Sequence, residues 1–221
     1  MLHHSFIAGV DEAGRAPLAG PIAAAACILP ACRMIKRRQG LAWTSWHPEG
    51  AQDDCIIADS KRLRPEQREI AYAWITEHCA WGVALVEAGE IDRIGILAAD
   101  ERAMQDAVAM MALQQKPTTL LVDGRDKFWF DYPHISIVGG DGREPCIAAA
   151  SIIAKVTRDR RMIEEHKHFP HYGFDRHKGY PTPEHYAAIG KHGLCPLHRR
   201  CFLGNPLSFA SAKGRAWVRV S

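Results

Sequence analysis

The chain has 221 residues, 47% of them hydrophobic and 24% charged, which is enough to bury a full core in one domain. No apolar run approaches the ~20 residues that span a bilayer, and the opening MLHHSF lacks the basic and apolar regions of a signal peptide. Seven cysteines, an odd number with scattered spacing, argue against a disulfide framework and for reduced thiols in a cytoplasm.

In chain order, the apolar run Phe6, Ile7, Ala8, Val10 reads as a buried strand that ends in two adjacent carboxylates, Asp11 and Glu12. A turn of Gly14, Arg15, Ala16 and Pro17 leads through Gly20 to a second strand, Ile22 to Leu29. Pro30 to Cys55, with Trp43, Trp46 and the cluster Lys36, Arg37, Arg38, reads as a loop or insertion holding at most a short helix. Asp59-Ser60-Lys61 precedes a helix starting at Pro65, a favoured first helical residue, with Ile70, Ala73 and Trp74 on its apolar face. Trp81 to Glu87 is a third strand. Ile96 to Gln114 is a helix with Leu97, Met104, Val108 and Met111 on one face. Thr118 to Val122 is a strand ending at Asp123-Gly124, and His134 to Val138 is another, ending in Gly139-Gly140-Asp141. A long helix, Cys146 to His168, turns Ala149, Ile152, Ile153, Val156 and Ile163 to the core and Ser151, Lys155 and Asp159 to another face. A polar, basic stretch follows, with one further helix from Pro183 to His192.

The net charge of +3 conceals an asymmetry. Residues 1–159 carry 17 Lys+Arg against 21 Asp+Glu, and residues 160–221 carry 11 against 4. An acidic body beside a basic quarter suits a polyanion that meets clustered carboxylates, with Lys178, Arg199 and Arg200 as backbone contacts. Acids that end strands of an open α/β sheet share one crevice, and Asp11, Glu12, Asp123 and Asp141 would repel one another unless a cation neutralised them. Oxygen-only donors favour Mg²⁺ or Mn²⁺ over zinc, and such ions serve phosphodiester hydrolysis.

Three rival readings carry less weight. Asp159 sits deep in its helix with Lys155 four residues back, an ion-pair spacing. His192, Cys195, His198 and Cys201 recur every third residue, but Pro196 breaks the run and the spacing is not that of a zinc site. Ser151 and His134 offer a nucleophile and a base without a surrounding motif. A catalytically silent nucleic-acid binder and a small-substrate phosphatase are the alternative functions. All four acids speak against the first and the basic quarter against the second.

In order, GVDEAGRAPLAGP, ADSKRL, LLVDG, AAASIIAKVTRD, YGFDRHKGYPT and HRRCF resemble the motifs of bacterial ribonuclease HII, the type 2 ribonuclease H, over about residues 6–203. The resemblance implies a ribonuclease H-like α/β fold: a mixed five-stranded sheet flanked by helices, with a helical C-terminal extension. It divides the chain into a catalytic domain, 1–168, and a basic extension packed on it, 169–221. It also implies a cytoplasmic, monomeric endoribonuclease that hydrolyses the RNA strand of RNA–DNA hybrids. The same resemblance implies cutting 5′ to ribonucleotides in duplex DNA, leaving 3′-hydroxyl and 5′-phosphate ends. Asp11, Glu12, Asp123 and Asp141 then hold Mg²⁺ or Mn²⁺. Gly14, Arg15 and Ala16 match a glycine–arginine–glycine turn whose backbone contacts the ribose 2′-hydroxyl, Lys61 lies in a substrate-binding motif, and Tyr180 matches a tyrosine that stacks on the following deoxyribose. Ala16 stands where the family has its second glycine, which raises the prospect of strain at a positive φ.

Overall fold

The computed structural model describes residues 6–30, 45–48, 51 and 55–204. The cluster Lys36, Arg37, Arg38, with Trp43 and most of the expected insertion, lies outside the described residues, as do Lys213, Arg215 and Arg219.

Five strands form the main sheet: β1 (Ile7–Ala13), β2 (Ile22–Ile28), β5 (Ala80–Val86), β6 (Thr119–Asp123) and β7 (His134–Ile137), in the order β5-β2-β1-β6-β7. β1 and β5 run antiparallel to β2, whereas β6 is parallel to both β1 and β7, so the sheet is mixed as expected. A short ladder of β3 (Ser45–Trp46) with β4 (Ile57–Ala58) was not anticipated. Two residues per strand give too little alternation to read.

Helices cover both faces. On one lie α1 (Pro65–His78) and α4 (Pro145–His168); on the other, α2 (Ala88–Ile94) and α3 (Ile96–Ala112). The alternation of β2 shows the layering, with Ala24, Ala26 and Ile28 in the α3 core and Ala25 and Cys27 in the α4 core. Small residues bring the helices close. A Cβ on Gly9 would lie 2.1 Å from the Cys146 carbonyl carbon of α4, and one on Gly82 would lie 2.3 Å from the Ala107 oxygen of α3. A third core unites Leu18, Ala19 and Met162 with residues beyond α4, including Tyr172 and Phe174, through α5 (Phe174–His177), α6 (Pro183–His192) and α7 (Arg200–Leu203).

Three expected faces shift. α1 buries Ala71 and Ile75, while Ala73 is exposed and Ile70 and Trp74 are half-buried. Leu97 is 52% and Ile163 45% exposed, although both fall on apolar stripes. Each sits toward one end of its helix. α2 fills the stretch between the expected strand and helix, for which the sequence pattern predicts no element. Gly95, at φ +82°, both ends α2 and starts α3, so one glycine separates two helices with no polar gap.

Gly9 has no positive φ, so its constraint is steric alone. Gly9→Ala is expected to push α4 off β1 and cost about 3 kcal/mol, measured as a lower urea midpoint at unchanged slope.

Candidate active site

Strand register assembles the acids. β1 and β6 pair through Val10↔Val122, so Asp11 and Asp123 follow side by side where that ladder ends. β1 continues to Ala13 against β2, which carries Asp11 and Glu12 on ordered backbone. Successive strand residues face opposite ways. Asp11 accepts from Ser151 of α4, whose hydroxyl also lies 2.9 Å from that of Ser60, and Glu12 faces Asp100 of α3. Even so, one oxygen each of Asp11, Glu12 and Asp123 comes within 4.8 Å of the others. The Asp123 Oδ1 also accepts the Gly140 N–H at 2.7 Å, which ties it to the turn bearing Asp141. That turn forms because Gly139 is left-handed, at φ +64°.

Desolvation and mutual repulsion dominate this cluster. Burial, then Glu12 and Asp123, hold the Asp11 carboxyl well above the usual carboxylate range. Burial raises Glu12, with Arg15 opposing and Asp123 adding. Asp141 is raised by burial, Asp59 and Asp123 against the pull of Lys61, whose Nζ is 3.8 Å from Asp141 Oδ2. Burial depresses Lys61, but Asp141, Asp11, Asp59 and Asp123 outweigh it and its pKa rises. A desolvated, oxygen-only set that resists ionisation fits a hard divalent cation, which would lower each carboxyl again.

The Gly14–Pro21 loop lies beside this cluster on two buried guanidiniums. Arg199 donates to the carbonyls of Gly14 (2.7 Å), Arg15 (3.1 Å) and Gly20 (2.9 Å). Arg158 donates to Pro21 (2.9 Å), Ala19 (3.1 Å) and, across the gap, Lys178 (3.0 Å). Leu18 N–H adds a bond to Gly179 O at 2.9 Å, so the loop and the turn before Tyr180 are laced together. A Cβ on Gly14, at φ +102°, would lie 2.2 Å from Arg158 Nε, and one on Gly179, at φ +83°, would lie 2.3 Å from the Ala19 oxygen. The Tyr180 ring, 37% exposed, has Lys155 Nζ and the Arg158 guanidinium each 5.7 Å from its centre. Arg15 points the other way. Its Nη1 is 2.7 Å from Asp126 and its Nε 3.5 Å from the fully buried Asp100, which burial and then Glu12 raise to about 8.

The structure therefore brings together Asp11, Glu12 and Asp123, with Asp141 and Lys61 at their edge, and sets the Gly14–Ala16 turn beside the Tyr180 turn. Ala16 is exposed and has no left-handed φ, because Lys178 is the one non-glycine residue with positive φ among the described residues. The strain envisaged at Ala16 is absent. Asp159 takes the expected ion pair with Lys155, at 2.9 Å. His192, Cys195, His198 and Cys201 do not converge, as Cys201 N–H bonds Asp92 and His192 stacks near His171. His134 lies beside Leu120, at the opposite end of β6 from Asp123. Arg199 cannot contact a nucleic-acid backbone, since it is fully buried under the loop. Arg160, Arg161, Lys167 and Arg176 are ion-paired within the chain, so much of the basic surplus is already engaged.

Arg158, Asp100 and Asp126 escaped the sequence reading. Two of them had a signal. Arg158 is in phase with buried Ala154 and Met162, and Asp100 with buried Ala103, Met104 and Ala107, so each is a charge on an apolar stripe.

A mixed sheet flanked by helices, with acids gathered where two parallel strands end, is the ribonuclease H-like architecture of metal-dependent nucleases. The family model of ribonuclease HII matches residues 50–204. The chain is 46% identical over 197 residues to the ribonuclease HII of Dechloromonas aromatica (strain RCB), covering 89% of this chain and 90% of that one. Among solved structures it is similar to the ribonuclease HII of Archaeoglobus fulgidus seen in a complex with PCNA, with a TM-score of 0.65, 24% identity and coverage of 89% and 93%. The ribonuclease H2 of Pyrococcus horikoshii OT3 gives a TM-score of 0.63 at 26% identity, covering 88% and 92%. The chain belongs to the ribonuclease HII family, and it is a metal-dependent endoribonuclease of the ribonuclease H type.

Two expectations test the site. A carboxyl whose folded pKa is raised stabilises the fold below its ordinary pKa, and that contribution is lost as pH rises through the folded value. Without metal, wild-type melting temperature should therefore fall as pH rises above about 4, the ordinary carboxyl range, and Asp11→Asn should fall less and melt higher. Saturating Mg²⁺ should reverse that order, since only the intact site gains binding energy. Separately, Arg158→Met leaves three buried carbonyls unpaired and should cost about 3–5 kcal/mol, read by urea unfolding.

Proposed function

We propose that the enzyme hydrolyses the RNA strand of RNA–DNA hybrids and cuts on the 5′ side of ribonucleotides embedded in duplex DNA, leaving 3′-hydroxyl and 5′-phosphate ends. The observation that carries this reading is the lacing of the Gly14–Pro21 loop to the Lys178–Tyr180 turn beside the Asp11–Glu12–Asp123 cluster by two buried guanidiniums, Arg199 on Gly14, Arg15 and Gly20 and Arg158 on Ala19, Pro21 and Lys178. Two-metal hydrolysis fits the donor set. Asp11, Glu12 and Asp123, with Asp141 as the fourth acid, would hold Mg²⁺ or Mn²⁺, and such ions activate water and stabilise a leaving oxygen.

The remaining work falls to the chain. The exposed Ala16 N–H has no partner among the described residues and is free for a ribose 2′-hydroxyl, the group that distinguishes RNA from DNA. With their carbonyls tied to Arg199, Gly14 and Arg15 hold that turn still. Tyr180 offers its exposed face to the next sugar, and Lys61, 79% exposed beside Asp141, is placed to meet a phosphate. Residues 1–168 form the catalytic domain in this reading, and residues 169–221 are an extension that carries Tyr180. No helix among the described residues is long and apolar enough to cross a membrane. The six described cysteines are all free, which suits a monomer working in a reducing cytoplasm and clearing ribonucleotides from DNA.

A duplex with one ribonucleotide, incubated with Mg²⁺ or Mn²⁺, should give a single cut 5′ to that residue. Cleavage elsewhere, or of single-stranded RNA alone, would sink the reading. Asp141→Asn should lower the rate far more than Asp159→Asn, because Asp141 is coupled to Asp123 whereas Asp159 is satisfied by Lys155.

A further inference from the structure

Three buried histidines, His177, His185 and His198, lie behind Tyr180 in the third core, and their hydrogen bonds permit one protonation pattern. The Tyr180 carbonyl, an acceptor, lies 3.0 Å from His185 Nδ1, which must therefore carry a proton. A neutral His185 then has a bare Nε2, and 3.1 Å away stands His198 Nε2, which must donate to it. His198 Nδ1 is left as an acceptor for the Cys195 N–H at 3.0 Å. The Cys195 carbonyl, 3.3 Å from that same nitrogen, already accepts the His198 N–H. His177 follows the same logic, with Nε2–H donating to Tyr172 O at 2.6 Å and Nδ1 accepting Gly179 N–H at 3.2 Å. All three rings are neutral, and each tautomer is dictated by its neighbour.

We propose that His185 and His198 are positioning residues for Tyr180: a relay from Cys195 through both rings fixes the Tyr180 carbonyl, and acid breaks it, costing cleavage at a lone ribonucleotide more than cleavage of a long hybrid. The inference rests on the role given to Tyr180 under Proposed function. A proton added to His185 Nε2 sets two N–H groups face to face across the 3.1 Å gap, and one added to His198 Nδ1 opposes the Cys195 N–H at 3.0 Å, so in either case a link of the relay must part. Tyr180 would keep its bonds to His177 O and Thr182 N–H but lose the one that ties it to α6. A lone ribonucleotide offers one register in which to be read, whereas a hybrid offers many.

The surroundings resist that proton. Burial is the main cause that brings both His185 and His198 down to about 4. The charged and titratable groups facing them are His177, stacked on His185 at 4.5 Å, then Glu184, Tyr172 and Cys195. Glu184 is the one carboxylate in that set, and it is engaged with Arg176. Phe174 closes the remaining side with edge contacts at 5.5 Å to His185.

The full chain labelled with ¹⁵N at histidine tests the relay directly. Ring-nitrogen spectra should show His185 protonated at Nδ1 and His198 at Nε2, both neutral from about pH 7.5 to about pH 5.5. A charged ring in that range, or either tautomer reversed, overturns the proposal. Its consequence is read as the ratio of kcat/KM on the single-ribonucleotide duplex to that on a long hybrid, in the same metal buffer, so that titration of the metal-binding acids cancels. His185→Phe removes the donor to Tyr180 and should lower this ratio about tenfold, whereas His185→Asn keeps an N–H near the Nδ1 position and should lose less. A folded His185→Phe enzyme with the wild-type ratio sinks the role. If that variant does not fold, the wild-type ratio decides, falling as pH drops below about 5 if the relay positions Tyr180 and constant if it does not. Wild-type enzyme that cannot cut the single-ribonucleotide duplex at all refutes the reading of Tyr180 instead, and the spectrum still judges the relay.

Discussion

Two guanidinium groups buried beneath one loop are the constraint on which the site depends. Arg158 and Arg199 each donate to three backbone carbonyls, at Gly14, Arg15, Ala19, Gly20, Pro21 and Lys178. Pro17 to Gly20 are buried, and a buried loop must pair its polar backbone or lose the desolvation energy of each orphan. Desolvating a charge costs several kcal/mol, and charge-assisted bonds return about 1.5–3 kcal/mol each, so three carbonyls per guanidinium bring the two sides close to balance. Burial, and then the charge of Arg158, bring Arg199 down to about 9, so the pair is tolerated rather than favoured. What it secures is geometry.

That geometry places unlike electrostatics side by side. On the sheet, Asp11, Glu12 and Asp141 are driven toward protonation by burial and by Asp123, with Glu12 adding at Asp11 and Asp59 at Asp141, a state that a divalent cation relieves. Under the loop, positive charge is locked into carbonyls and cannot swing over to neutralise those acids. Arg15 offsets the rise of Glu12 only in part, because its ion pairs are with Asp126 and Asp100. Lys61 alone among these cations is largely exposed, and it meets the cluster only at its edge. The acids are thus left short of cations from the chain, and the turn beside them is held by guanidinium–carbonyl bonds that involve none of those acids.

The same economy governs the region behind Tyr180. Gly179 permits a turn that a side chain would block at the Ala19 carbonyl, Lys178 accepts a left-handed φ of 51°, and neutral histidines fill the polar valences of the turn. Glycine, arginine and histidine serve one purpose here, letting irregular backbone sit inside a core with its carbonyls paired.

By itself the sequence determined the strands that carry the acids, the two long helices, the mixed sheet through its family resemblance, and the residues Asp11, Glu12, Asp123, Asp141 and Tyr180 as candidates. These were legible because periodicity and strand-end position are local properties, written within a few residues of one another. It erred where burial depends on what lies opposite: Leu97 and Ile163 sit on apolar stripes yet are exposed, and Arg199 looked like a backbone contact although it is buried. Tertiary structure alone decided the partners of the buried polar groups. Arg158 and Pro21 are 137 residues apart, and Arg199 and Gly14 are 185 apart. A charge on an apolar stripe announces that it must be paired, but which carbonyls pair with it is fixed only when the sheet, α4 and the C-terminal helices pack. The histidine tautomers follow the same rule, because each ring's proton is assigned by a neighbour that only the folded chain supplies.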